Sequence, residues 1–494
     1  MNLIIYDFET SGRSARYDQI LQAGIILYDK NLVEIKQLNL KSKLNADVIP
    51  SINALNVNKI YLSDLLKEKK TSFEIIQEMN NFFEKHRPSM FLGYNSINFD
   101  EEFLRQGLWE NFLYPYVTTT RDNKRGDVLN LVRMVHAQKP DIIKITQDDV
   151  GKLSFKLENI SKENNFNILQ SHEAISDVIA TKKVFELVRN NAQDIYKDFI
   201  DNTDKKKLIE KIKFNNFFSL HANYYGKHFF YLLTHLIDHP VYNDNFSAFD
   251  LRYDPRDLID LTNEQLSDVF FSGKKKYIRK IKLNKQPSIL SDKLALSKSP
   301  YNEIEVEELV KRKKIIDESD LKNRIEKLLV KEAENYEESR SQLPENEEET
   351  IYKENINNFD RSIMGKFYSI GWEKKWEFAE KFKDKRLRYF AAKHIFRCNP
   401  NFLPAKIFRY FHEKITERLN SIESKNFMTI PAAMAEADNL LLEYENSDKN
   451  IDIKNQLEEY DIYINFLNNY YNNKNANPKP VCFDENLSIK LFGK

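Results

Sequence analysis

Apolar positions in the first 190 residues change period several times, and the changes mark out elements. Leu3, Ile4 and Ile5 form a short apolar run rich in β-branched residues and followed by Thr10-Ser11-Gly12, which predicts a buried strand ending at a turn. Residues 19–28 predict a second strand and residues 32–40 a third. Phe73, Ile76, Met79, Phe82 and Phe83 then recur at helical spacing, from Thr71 to a break at Pro88, and predict a helix with one core-facing stripe. Met90-Phe91-Leu92-Gly93 predicts another buried strand. Ile175, Val178, Ile179 and Val184 predict a later amphipathic helix. Strands alternating with helices in this way predict an α/β domain.

Beyond residue 190 the pattern changes. Residues 201–213 form a charged connector, and residues 217–257 bring short apolar stretches with aromatic and histidine residues. Residues 274–285 alternate cationic and apolar positions, which would set several cations on one side of a strand. Residues 303–336 are helical and highly charged. Residues 337–349 are an acidic stretch containing Pro344, the best linker in the chain. Residues 351–442 predict consecutive amphipathic helices with Trp372, Trp376, Phe378, Phe382, Tyr389 and Phe390 at core-like spacings. Lys385, Arg386, Arg388, Lys393 and Arg397 give them a basic face, and residues 468–477 are an Asn-rich, loosely ordered end.

The chain has 494 residues, too many for one typical domain. Its 75 basic and 75 acidic residues cancel, so a nucleic-acid role would need cations gathered on one surface. Cys398 and Cys482 stand far apart, which predicts neither a zinc site nor a disulfide framework and fits a reducing compartment. No run approaches the ~18 apolar residues of a membrane span, and the N-terminus runs straight into a strand. The expectation is a soluble, cytoplasmic protein.

Chemistry gathers at the ends of predicted elements. Side chains alternate faces along a strand, so Asp7 and Glu9 project from one side, about 7 Å apart. Two acids at the end of a central strand either raise each other's pKa values or demand a cation, and a divalent metal meets that demand. Asp100 follows the strand at 90–93 in the same way. It sits where an N-cap belongs, before the acidic first turn Glu101-Glu102, and strand ends are where α/β folds hold ligands. His172 and Asp177 are five positions apart, roughly 140° around a helix. They cannot share a helical face, so His172 is placed on the loop or first turn, reaching over a site that Asp177 faces.

In this order, Asp7-x-Glu9, Asp100 and His172-x4-Asp177, the sequence resembles the DEDDh 3′–5′ exonucleases, whose motifs are D-x-E, N-x2-3-F/Y-D and H-x4-D. The likeness extends to Asp7-Phe-Glu-Thr-Ser-Gly12, Leu92-Gly-Tyr-Asn-Ser-Ile-Asn-Phe-Asp-Glu-Glu102, Tyr114-Pro-Tyr116, Arg121-Asp-Asn-Lys-Arg-Gly-Asp127, Leu153-Ser-Phe-Lys-Leu-Glu158 and His172-Glu-Ala-Ile-Ser-Asp-Val-Ile-Ala-Thr181. It implies an α/β multidomain protein. The expected parts are a ribonuclease H-like mixed-sheet exonuclease domain over 1–190, an SH3-like β-containing middle domain with a helical extension over 193–345, and a helical C-terminal domain over 350–475.

The function implied is 3′–5′ hydrolysis of single-stranded DNA to nucleoside 5′-monophosphates, in repair and recombination. The alternative is a DEDDh exoribonuclease or a polymerase-proofreading exonuclease. Those are commonly one small domain, so the chain beyond residue 190 favours the first. Asp7, Glu9, Asp100 and Asp177 would hold two Mg²⁺ ions about 3.5–4 Å apart, with Mn²⁺ able to substitute. His172 would be the general base, its ordinary pKa near 6.5 suiting neutral pH. Glu9 would also meet the 3′ hydroxyl of the terminal nucleotide. Arg105, Tyr116, Arg133 and Lys156 fall in or beside the matched segments and are expected to touch the strand, cations to phosphates and the ring to a base. Lys156 stands where an arginine is expected and lacks its bidentate fork. The resemblance further implies a groove that the middle domain helps to close, docking of the acidic C-terminal tail of single-strand-binding protein, no membrane association and a monomer.

Overall fold

A computed structural model describes residues 1–166, 173–341, 346–353, 355–422, 426–445, 451–472 and 478–493. The elements used below are β1 (Asn2–Thr10), β2 (Ile20–Tyr28), β3 (Glu34–Lys41), α1 (Ser72–Lys85), β4 (Ser89–Gly93), α2 (Asp100–Glu110), α3 (Val128–Gln138) and α4 (Ala174–Asn191), followed by β5 (Phe218–Tyr224), β6 (Lys227–Asp238), β7 (Asn245–Asp250), β8 (Ile278–Lys282), β9 (Ser288–Leu290), α5 (Val306–Glu318), α6 (Leu321–Ser341), α7 (Lys385–Cys398) and α8 (Ala405–Leu419). The chain divides into two compact units. One comprises residues 1–123, 168–179 and 345–494, the other residues 124–167 and 180–344.

In the first unit, sheet strands run in the order β3-β2-β1-β4. β1 pairs antiparallel with β2 and parallel with β4, so the sheet is mixed and β1 lies inside it. Alternation along β1 sends Ile4, Tyr6 and Phe8 into a core with Ile75, Met79, Phe83 and Phe91. Burying each such side chain contributes roughly 2 kcal/mol. Leu3, Ile5, Asp7 and Glu9 are left for the opposite face. α1 starts as its sequence dictates: Thr71 and Glu74 form a capping box, and Ile75, Ile76, Met79, Phe82 and Phe83 are its buried face. In α4, Ile175, Val178 and Val184 are buried, but Ile179, predicted for the same stripe, is 36% exposed.

The C-terminal helices close the same unit. Phe367, Phe390, Phe411, Tyr460 and Tyr471 share a core with Leu44, Leu65, Trp109 and Phe112 from the N-terminal part. The basic face expected on α7 is not a free one, because Lys393 and Arg397 turn inward onto carboxylates. Lys393 donates to Glu348 at 2.6 Å and to Glu110 at 3.0 Å, and Arg397 holds Asp47 through two bonds of 2.6 and 2.9 Å. Glu348, within the stretch read as a linker, is therefore buried.

The second unit contains an antiparallel sheet in the order β8-β7-β6-β5-β9. α5 and α6 lay Leu309, Ile316, Leu321, Ile325 and Leu329 into its core beside Leu232 and Phe249. Of the cations at residues 274–285, Arg279, Lys280 and Lys282 fall on β8, and two of them are taken up locally. Arg279 faces Asp250 and lies 3.8 Å from the Tyr231 ring centre, and Lys280 pairs with Glu332. Among the described residues no helix is long and apolar enough to cross a membrane.

Candidate active site

Three described carboxylates converge. Asp7 and Glu9 leave the same face of β1, and Asp177 joins them from the first turn of α4, with one oxygen of each within 4.8 Å of the others. The approach depends on Gly24, which pairs with Asp7 across β1 and β2. A Cβ there would sit 2.5 Å from the Ala174 carbonyl carbon and 2.6 Å from the Ile175 nitrogen, so only glycine lets α4 lie on the strand at this point.

Asp100 occupies the start of α2 but does not cap it. Phe99 is the N-cap residue and makes no side-chain cap bond, while Asp100 Oδ1 accepts the backbone N–H of Phe8 at 3.0 Å. That bond ties the acid to β1 between Asp7 and Glu9. Asp100 is also the foremost of the charges repelling Asp7. His172, the fifth residue of the sequence motif, lies outside the described residues.

The electrostatics are those of a crowded anionic site. Burial, then Asp100, Asp177 and Glu9, hold the Asp7 carboxyl well above its ordinary range. Burial and then Asp177 push Glu9 up to about 8. Hard oxygen donors whose negative charges oppose one another fit a divalent cation such as Mg²⁺ or Mn²⁺, which would relieve the repulsion. A pH dependence follows. In the metal-free protein the folded Glu9 keeps its proton up to about pH 8, whereas in the unfolded chain it loses it near pH 4.3. The native state therefore binds more protons across that window, and stability of the metal-free protein falls as pH rises through it. Metal competes with those protons, so the rise in Tm on adding Mg²⁺ is expected to grow between pH 6 and 8. Thermal melts with EDTA and with Mg²⁺ at several pH values check this; a Mg²⁺ effect independent of pH would refute it.

Around the cluster, Glu101 follows Asp100 in the acidic first turn of α2. It is fully buried, accepts Tyr6 Oη at 2.7 Å and Thr118 Oγ1 at 3.0 Å, and lies 3.5 Å from Arg105 Nε. It thereby locks α2 to β1 on the core side of the sheet. The only signal for it in the sequence was its place beside Asp100. The expected strand-contact residues separate into two groups. In the first unit, Arg105 lies over the Tyr116 ring at 5.3 Å, and Tyr116 is half-buried. In the second unit, Arg133 lies 5.8 Å from the Phe155 ring centre, and Lys156 is exposed next to that ring.

Residues 4–185 match the family described as Exonuclease. The chain is 24% identical to exodeoxyribonuclease I of Buchnera aphidicola subsp. Baizongia pistaciae, covering 96% of this chain and 98% of that protein. It is 25% identical to exodeoxyribonuclease I of Haemophilus influenzae over 80% of this chain and 87% of the relative. Among solved structures, exonuclease I of Methylocaldum szegediense superposes with a TM-score of 0.80 at 23% identity, and Escherichia coli exonuclease I in complex with a dA16 oligonucleotide with 0.77 at 20%. An ExoI/SSB-Ct complex gives 0.78 at 19%. Each of the three covers 94% of this chain and 99% of the other, and they show that the mixed α/β, ribonuclease H-like exonuclease fold is shared. Carboxylates converging at the end of β1, on this fold and in the segment that matches the Exonuclease description, make residues 4–185 an exonuclease domain and the chain a hydrolase of the nuclease class, similar to exodeoxyribonuclease I.

Proposed function

We propose that the protein is a 3′–5′ exonuclease that hydrolyses single-stranded DNA to nucleoside 5′-monophosphates in the cytoplasm, in repair and recombination. The observation that carries the reading is the meeting of Asp7, Glu9 and Asp177 oxygens within 4.8 Å, with Asp100 bonded to the same strand. These four acids would hold two Mg²⁺ ions. Metal bound there supplies Lewis acidity, lowering the pKa of an attacking water and stabilising the departing 3′ oxygen. The chain's own groups do the rest. His172 takes the proton from the attacking water, being the one residue of the motif with an ordinary pKa near neutrality. Glu9 receives the terminal 3′ hydroxyl, which makes a free end the substrate. Arg105 and Tyr116 in one unit, and Arg133 and Lys156 in the other, contact phosphates and bases.

The wider likeness supports three domains over residues 1–190, 193–345 and 350–475, the middle one SH3-like. It also supports docking of the C-terminal tail of single-strand-binding protein, since a structural relative is described in complex with SSB-Ct.

The test is a Mg²⁺-dependent assay on 5′-labelled oligomers. Single-stranded DNA is expected to shorten progressively from its 3′ end, with duplex DNA and RNA degraded far more slowly. Preference for RNA would overturn the substrate assignment, and degradation from the 5′ end would overturn the polarity.

A further inference from the structure

The start of α2 is not fixed by a cap of its own. Phe99, the N-cap residue, makes no side-chain cap bond, and the short turn before it is entered through Asn95, at a left-handed φ of +60°. The first turn is placed instead by bonds to β1. Asp100 accepts the N–H of Phe8, and Glu101 Oε1 accepts the Tyr6 hydroxyl at 2.7 Å. Consecutive acids of α2 therefore grip the residues on either side of Asp7. The Tyr6 end of this bond is rigid, because its ring is 1% exposed and packs against Phe8, Phe83 and Phe91 at 5.3, 6.4 and 6.5 Å.

The second oxygen of Glu101 acts on the far side of the same turn. Oε2 accepts Thr118 Oγ1 at 3.0 Å and faces Arg105 Nε at 3.5 Å. The Arg105 side chain is only 11% exposed, and its guanidinium lies 5.3 Å from the centre of the Tyr116 ring, two residues before Thr118. A cation so deeply covered needs a fixed counter-charge. Burial works against the charge on Arg105, and Glu101 comes first among the groups that favour it, ahead of Tyr352 and Glu102. A fully buried carboxylate is a poor choice for stability alone, since a well-packed apolar side chain of similar volume is often neutral or better at such a position. What the charge adds is placement.

We propose that Glu101 is a positioning residue that sets two parts of the site at once: through Tyr6 it holds Asp100 beside Asp7 for metal binding, and through Thr118 and Arg105 it presents the Arg105 guanidinium and the Tyr116 ring to the strand. This role rests on the reading of Asp100 as a metal ligand and of Arg105 as a strand contact, and it adds a residue that touches neither metal nor DNA. Charge and placement predict opposite signs for the strand. If only long-range electrostatics acted, Glu101→Gln would remove a negative charge and tighten the binding of a polyanion. Loss of placement weakens it.

The test uses the full chain, with Mn²⁺ binding read by electron paramagnetic resonance and binding of 5′-fluorescein dT16 in EDTA read by anisotropy. Glu101→Gln is expected to weaken Mn²⁺ binding about tenfold and dT16 binding about fivefold. Tyr6→Phe and Thr118→Val each remove one hydroxyl and leave every charge in place, so they separate the two arms and keep the proposal falsifiable if the Glu101 variant does not fold. Tyr6→Phe should weaken Mn²⁺ binding about fivefold while dT16 affinity changes by less than about twofold, and Thr118→Val should do the reverse. Unchanged Mn²⁺ affinity in Tyr6→Phe, unchanged dT16 affinity in Thr118→Val, or tighter dT16 binding by Glu101→Gln overturns the positioning role. So do parallel losses of both affinities in all three variants that track a fall in Tm, since those report general loosening. Failure of the wild type to bind Mn²⁺ or dT16 would overturn the active-site reading as well, whereas wild-type binding with unaffected variants sinks the role of Glu101 alone.

Discussion

Asp177→Ala is expected to lower kcat on single-stranded DNA by about 10³-fold or more, while binding of the same strand in EDTA is retained or slightly strengthened. The magnitude follows from the several kcal/mol of transition-state stabilisation that a bound metal supplies, at about 1.4 kcal/mol per tenfold. The sign of the binding effect follows from charge. Asp177 belongs to a cluster in which it helps to hold Asp7 and Glu9 above their ordinary range, so its removal takes one negative charge from a site that receives a polyanion. The same repulsion predicts that the metal-free variant melts at a temperature no lower than the metal-free wild type. Adding Mg²⁺ should then raise the Tm of the wild type much more than that of the variant. Rapid-quench kinetics, anisotropy and thermal melts read the three effects separately. An Asp177→Ala protein that still degrades DNA at near the wild-type rate would be incompatible with the proposed site.

Asp47→Ala is expected to destabilise the first unit by about 3–5 kcal/mol, the cost of leaving buried charges without their partner. Asp47 is almost fully buried and accepts two bonds from Arg397 and further ones from Arg418 on α8, to its carboxylate at 3.3 Å and to its own carbonyl. Its loss strands two guanidinium groups among Glu110, Glu348, Tyr17 and Phe427. Burial alone would raise the Asp47 carboxyl, but Arg397, then Arg418 and Lys393, hold it far below the usual range. Its contribution is therefore complete above the unfolded value near pH 4, and is lost only as pH falls toward the depressed folded value. The contrasting case is Lys314 and Glu318, an exposed i,i+4 pair 3.6 Å apart, whose removal should cost no more than about 0.5 kcal/mol. Urea unfolding of the two variants side by side gives the comparison. Equal costs would show that the buried network does not join the N-terminal part to the C-terminal helices in the way described.

How much of this was legible beforehand depends on the range of the interactions involved. The strand at 2–10, the helix opened by Thr71 and the strand at 89–93 were readable because period and capping are local properties, decided by residues a few positions apart. That Asp7 and Glu9 share a face follows from strand geometry alone. The order and spacing of the acids, with His172, carried a family likeness without any knowledge of where Asp177 would lie.

Other features were invisible until the chain folded. Asp100 looked like a helix cap, and only the approach of α2 to β1 turned its carboxylate to the Phe8 N–H. Lys393 and Arg397 looked like a basic surface because a helix pattern does not say which residues another segment will cover. Asp47, Glu110 and Glu348 cover them from positions 45 to 350 residues away in sequence. His136 meets His228, and His228 meets His221, about ninety residues further on, and nothing in their spacing announced it. Sequence by itself determined which segments are strands and helices and which residue types could do chemistry, since both are written in neighbouring residues. Only the tertiary structure decided which charges meet a cation, which meet one another and which face water, because those are settled by long-range packing and the desolvation that comes with it.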